Sequence, residues 1–177
     1  MNFYRDAGDL IFGTRLKRLS DRFLQDVARV YKQLNIPFEI SWFPLFYLLN
    51  KNDLLSVTEI ASELKITHSA VSQLAATIKE KGYIDFKKDK NDGRRKLISL
   101  TGQGQELLQQ LKPVWDAIHS AMTALISAGE YSAALLPALE ELENRISKYP
   151  IQERILNELN GAGTGLRPAI QEIKEEQ

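Results

Sequence analysis

Ser56 and Glu59 stand three residues apart, directly around Val57 and ahead of Ile60, Ala61 and Leu64. The serine hydroxyl can accept from a backbone N–H of the first helical turn while the glutamate reaches back to the serine's own N–H, so the pair fixes a helix start. Val57, Ile60, Ala61 and Leu64 fall at i, i+3, i+4 and i+7, which is one face of an α-helix. After Lys65 and Ile66 the pattern begins again. Thr67 is a second cap residue, Val71, Leu74, Ala75 and Ile78 repeat the spacing, and Gly82 is suited to close the helix in a left-handed conformation. The expected product is two short helices joined by a tight turn, a helix-turn-helix.

The segment after Gly82 narrows the fold further. Residues 83–87 alternate apolar and polar side chains, residues 96–100 can do the same, and Asn91-Asp92-Gly93 between them has turn chemistry. A two-stranded β-hairpin after a helix-turn-helix is a wing.

Longer apolar stripes flank this centre. Leu16, Leu19, Phe23, Val27, Val30 and Leu34 describe one amphipathic helix over residues 6–34, closed by Pro37. Residues 41–49 read as a short buried helix, with Ser41 as its cap and Pro44 in the first turn, where proline is tolerated. Thr101 can cap a helix whose Leu108, Leu111, Trp115, Ile118, Met122 and Leu125 form a coiled-coil-like seam, with a kink expected at Pro113. Leu135, Leu139, Leu142, Ile146 and Tyr149 repeat the pattern before Pro150, and residues 151–159 can form one more short helix. GAGTG at 161–165 has linker composition. The expected architecture is mainly α: an N-terminal dimerisation helix (1–40), a winged helix-turn-helix (41–101), C-terminal dimerisation helices (102–160), and a linker and tail (161–177).

Composition restricts the chemistry. The 177 residues are 44% hydrophobic and 26% charged and contain no cysteine, so disulfides, thiolate metal sites and a cysteine nucleophile are excluded. The start MNFYRDAGDL places Asp6 and Asp9 where a secretory leader needs apolar residues, and no apolar run approaches the ~20 residues of a membrane span. A cytoplasmic protein with no membrane partner is the expectation. Lysines and arginines number 23, and so do the acids, yet residues 65–100 carry nine cations against four acids. A local basic surface is what phosphate binding needs, whatever the whole-chain charge.

On a helical wheel, the side opposite Val71, Leu74, Ala75 and Ile78 consists of Ser69, Ser72, Gln73 and Ala76, with Thr67 and His68 at the entry and Lys79 toward the exit. Small polar side chains at this spacing fit a DNA major groove: glutamine can pair with adenine, serine with several base edges, and alanine with a thymine methyl. A merely solvated face is usually richer in glutamate and lysine. A wing beside such a helix lies over the sugar-phosphate backbone, where Lys87, Lys88, Lys90, Arg94, Arg95 and Lys96 would neutralise phosphates. An arginine near the tip can enter the narrow groove, and Asp92, two residues before Arg94, can hold that side chain extended.

The stretch VTEIASELKITHSAVSQLAATIKEKGYIDFKKDKNDGRRKLISLTGQGQELL resembles the winged helix of the MarR family of bacterial transcriptional regulators. The D-x-R of the wing (Asp92, Arg94), the LT that ends it (Leu100, Thr101) and the helix after it carry the resemblance, which is specific over 56–108 and extends over 6–150. It implies a homodimer on palindromic double-stranded DNA, with Ser69, Ser72 and Gln73 at base edges and Arg94 in the minor groove. It also implies repression relieved by a small aromatic or carboxylate effector; Arg15, Tyr31, Trp42 and Phe46 are the candidates to line that crevice, although core packing is the simpler account of the aromatic residues. FYRDAGDLIFGTRLKRLSDRF and ISWFPLFYLL are similar to MarR-type portions of proteins that continue into an acetyltransferase domain.

Other classes have less behind them. His68 and His119 have no carboxylate at metal-ligand spacing, so no metal is expected, and no cofactor. A phosphate-cradling glycine loop, a nucleophile elbow and an H-E-x-x-H motif are all missing, so no enzymatic activity is expected. The remaining alternative is a winged-helix dimer that acts as a protein-interaction adaptor without specific DNA binding, though an adaptor has no use for the wing's charge.

Overall fold

The computed structural model describes residues 3–88 and 96–162. The chain divides into two compact units, Met1–His119 and Ser120–Gln177. The first opens with a single helical turn, α1 (Phe3–Asp6), a 3-10 turn (Gly8–Ile11) and the long helix α2 (Phe12–Gln33). The one helix expected over 6–34 is thus interrupted near its start, at Gly8, whose φ of +51° lies in the left-handed region that favours glycine. Its end also comes before Pro37. Asn35 adopts φ 53°, and the Ile36 N–H folds back to the Tyr31 carbonyl at 3.0 Å, so a left-handed asparagine terminates the helix.

A 3-10 turn (Ile40–Trp42) leads into α3 (Phe43–Lys51). Ser41, expected as the cap, lies inside that turn; Trp42 takes the cap position without a side-chain bond, and Pro44 sits in the first turn as expected. Then come β1 (Leu55–Ser56), α4 (Val57–Leu64), α5 (His68–Glu80), β2 (Ile84–Lys88), β3 (Lys96–Leu100) and α6 (Gly102–Ser127), which continues through Pro113 into the second unit. The fold is mainly helical, a winged helix-turn-helix with long flanking helices.

The cap at Ser56 forms as its spacing requires: the serine hydroxyl accepts from Glu59 N–H at 3.2 Å, and Glu59 Oε2 accepts from Ser56 N–H at 2.7 Å. Ser56 also belongs to a strand. The wing's two strands pair antiparallel from Ile84↔Leu100 to Lys88↔Lys96, and β1 adds a third strand on the other side of β3 through Leu55↔Ile98 and Ser56↔Leu97. The sheet order is β1-β3-β2.

The core lies where α3, α4, α5 and α6 meet this sheet. Leu45, Phe46, Ile60, Val71, Ala75, Ile78, Ile98 and Leu111 are all fully buried. Each large aliphatic or aromatic side chain buried in this way contributes about 1.5–3 kcal/mol from the apolar surface it removes from water. Phe38 is an aromatic hub, with ring centroids of Tyr31, Phe46 and Trp42 at 5.1, 5.2 and 5.8 Å, edge to face. The stripes of the long helices are used unequally. Leu108 and Leu111 of the α6 seam are buried and Trp115 and Ile118 half-buried, but Leu125 is 61% exposed.

The second unit contains the end of α6, a 3-10 turn (Ser132–Ala134), α7 (Leu135–Lys148) and α8 (Ile151–Gly161). Arg154 joins α7 to α8 by donating to the carbonyls of Tyr149 at 2.9 Å and Arg145 at 3.1 Å, orphan acceptors at a helix end. Neither α7 nor α8 has a buried residue.

Candidate nucleic-acid interface

The turn between α4 and α5 is held by backbone bonds. Lys65 takes φ 53° in the left-handed region, and the Ile66 N–H donates to the Ala61 carbonyl at 3.1 Å. This closes α4 and delivers Thr67 to the start of α5, where its hydroxyl accepts from Ala70 N–H at 3.2 Å. The entry of α5 is therefore fixed at both edges of the turn.

Along α5 the two faces separate cleanly. Val71, Ala75 and Ile78 are buried and Leu74 is half-buried; Thr67, His68, Ser69, Ser72, Gln73 and Ala76 are exposed. The helix therefore presents the small polar row outward, with the chain's own core holding the opposite side. Thr77 donates its hydroxyl to the Gln73 carbonyl at 3.2 Å, so its polarity is used within the helix.

The wing stands next to this helix in the chain. Lys87, Lys88 and Lys96 are exposed, and Lys88 lies directly across the ladder from Lys96. Like charges at opposite positions destabilise a strand pair, a cost that an anion between them removes. Lys90, Asp92, Arg94 and Arg95 lie outside the described residues, as does the tail from residue 163.

Lys79, expected near the exit of the reading face, makes an ion pair with Asp85 of β2 at 2.8 Å. Its ammonium lies 5.0 Å from the centroid of the Phe86 ring. The hydrogen bond from Lys79 and a second from the Phe86 N–H hold the Asp85 carboxyl below the usual carboxylate range. A cation and an acid six apart across a glycine turn follow no helical or strand period, and only the turn geometry brings them together.

Two further residues position the interface. Thr101 accepts from Gly104 N–H at 3.0 Å, capping α6, while donating to the Gly82 carbonyl at 2.6 Å, so one hydroxyl joins the end of the recognition-helix turn to the start of α6. Gly104 heads the G-x-x-L-L stretch of the helix that carries part of the resemblance, but spacing alone does not show why glycine is needed there. A Cβ there would lie 2.0 Å from the Tyr83 carbonyl oxygen, so only glycine allows this approach.

The four residues expected around an effector crevice do not come together. Tyr31, Trp42 and Phe46 are buried around Phe38, whereas Arg15 is exposed on α2. Sixteen residues of one helix separate Arg15 from Tyr31, about 24 Å along its axis. Arg15 instead borders a groove with Gly8, Asp9, Phe12 and Leu19. His68 and His119 are both exposed, and no group of histidine and acidic residues suited to a metal occurs among the described residues.

Residues 36–95 match the family model described as MarR family. Among curated proteins, the HTH-type transcriptional regulator Hpr of Bacillus licheniformis is 24% identical over 115 residues, which cover 64% of this chain and 56% of that protein. The chain thus spans little more than half the length of this relative. Among solved structures, MepR of S. aureus in complex with DNA superposes with a TM-score of 0.62 at 23% identity, covering 77% of this chain and 97% of that one. BpsR of Bordetella bronchiseptica, a protein whose DNA binding is regulated by 6-hydroxynicotinic acid, superposes with a TM-score of 0.62 at 17% identity, covering 74% and 91%. These likenesses establish the winged-helix fold.

Proposed function

We propose that this MarR-family chain is a sequence-specific DNA-binding transcriptional regulator, a repressor that acts as a homodimer on a palindromic operator. The observation that carries the reading is the outward row Ser69, Ser72, Gln73 and Ala76 on a helix fixed at its entry by Thr67 and backed by a buried face. In the major groove Gln73 would read adenine and Ser69 and Ser72 neighbouring base edges. The wing supplies phosphate contacts through Lys88 and, beyond the described residues, Lys90 and Arg95, with Arg94 entering the minor groove.

Symmetry follows from the unused apolar surface. Leu19, Leu34, Leu125 and Ile155 are each more than half exposed, and a second copy would cover such stripes while bringing two recognition helices to half-sites about 34–36 Å apart. Release by a small aromatic or carboxylate compound belongs to the same reading, with no crevice assigned to it. The reading assigns no catalytic step to the chain. Its setting is the cytoplasm, and no helix among the described residues is long and apolar enough to cross a membrane.

The test is fluorescence anisotropy on fragments selected from genomic DNA, titrated at several salt concentrations. A regulator loses affinity steeply with salt, by about 0.9 in log–log slope per phosphate neutralised, and prefers selected over scrambled duplex. Binding with neither salt dependence nor sequence preference would replace this reading with the adaptor.

A further inference from the structure

Lys79 is the single lysine or arginine of α5 and lies seven residues after Ser72, on the same side of the helix. That places it about 10.5 Å further along the reading face, where a free ammonium would meet a phosphate. Its charge is already matched. Beyond Glu80 the chain reverses through Gly82, at φ +80°, and enters β2. Across this reversal Lys79 Nζ reaches Asp85 Oδ1 at 2.8 Å and lies 5.0 Å from the Phe86 ring centroid. The same carboxylate oxygen accepts from Phe86 N–H at 2.8 Å, which fixes the carboxylate against the strand that it belongs to.

We propose that Lys79 is a positioning residue: through Asp85 and the Phe86 ring it sets the angle between the recognition helix and the wing, and it does not neutralise a phosphate. The inference rests on the DNA-reading function proposed above. Its mechanical basis lies in the two sides of the turn. Thr101 pins one side, by its bond to the Gly82 carbonyl and by its N–H to the Tyr83 carbonyl at 3.0 Å. Lys79 and Asp85 form a side-chain link on the other, between the last turn of α5 and the root of β2. A wing free to rock about Gly82 would let the helix and the hairpin contact DNA independently. The link makes them one rigid reader, so its contribution falls on discrimination between sequences more than on attraction to phosphate.

Two measurements on the full chain test this. The first needs no DNA: residual dipolar couplings of the amides of residues 84–88 against those of α5. Lys79→Ala and Asp85→Asn are expected to alter the couplings of β2 in the same way, and the exchanged pair Lys79→Asp with Asp85→Lys to return them toward wild type. Unchanged couplings in both single variants overturn the proposal.

The second compares selected with scrambled duplex across salt. Both single variants are expected to lose about three- to tenfold of the sequence preference, with the double variant Lys79→Ala, Asp85→Asn no worse than either, as coupled residues behave. Lys79→Ala should keep the wild-type salt slope. A slope reduced by about 0.9 in Lys79→Ala, with preference intact in Asp85→Asn, makes Lys79 a phosphate contact and overturns the proposal. A wild-type chain that binds no duplex defeats the proposed function, and the couplings then decide on the link alone.

Discussion

Trp115 donates its indole N–H to the hydroxyl oxygen of Tyr31 at 3.1 Å, joining α6 to α2 across 84 positions of sequence. Phe38 packs edge to face against both rings, at 5.1 Å from Tyr31 and 6.4 Å from Trp115. The polar bond therefore closes an otherwise apolar cluster and sets the register of one long helix on the other within the first unit.

Removing that hydroxyl tests its contribution. Tyr31→Phe keeps the ring but leaves the indole N–H without its acceptor, and should destabilise the chain by about 1–2 kcal/mol in urea unfolding. Burial pushes the Tyr31 phenol above its ordinary value of 10.0, with the bond from Trp115 acting in the opposite direction. The unfolded chain therefore loses this proton first as pH rises. The stabilisation is complete below the unfolded pKa and is lost as pH rises through the folded one, so Tyr31→Phe should flatten the alkaline limb of the stability profile.

The start of α4 depends on Ser56, which is 2% exposed. Ser56→Ala removes the acceptor of Glu59 N–H and should cost about 1 kcal/mol, read as a melting temperature lower by roughly 2–4 °C.

Gly104→Ala should be the more severe change. Its methyl group would lie 2.0 Å from a backbone oxygen that cannot rotate away, so the start of α6 has to move from the turn at Tyr83. Overpacking of this kind costs about 1–3 kcal/mol, and calorimetry should show the loss.

Gln73 and Lys88 should separate reading from attraction. Gln73→Ala is expected to reduce discrimination at one base pair by about 1–3 kcal/mol with the salt slope unchanged. Lys88→Ala is expected to weaken all duplexes alike and to lower the slope by about 0.9. Anisotropy titrations on single-substitution duplexes distinguish the two.

Leu125, 61% exposed on α6, and Ile155, 55% exposed on α8, should report assembly. Leu125→Glu and Ile155→Glu each place a charge on a stripe assigned to the dimer, and sedimentation velocity should show a shift toward monomer for both.

What the sequence determined by itself is the set of features whose partners lie within one helical turn. The Ser56–Glu59 box, the Thr67 cap and the Thr101 cap each join residues three apart, and all three form as their spacing requires. The buried and exposed sides of α5 were legible for the same reason, since helical periodicity alone sorts Val71, Ala75 and Ile78 from Ser69, Ser72 and Gln73. Features that depend on distant partners had no such signature. The two-residue strand β1 exists only because Leu55 meets Ile98, and two residues are too few to show a period. Arg15 and Tyr31 fit one effector list by chemistry, but one continuous helix holds them apart. The Lys79–Asp85 pair, the Tyr31–Trp115 bond and the glycine at 104 were decided by tertiary structure, because each is a contact between elements that only the folded chain brings side by side.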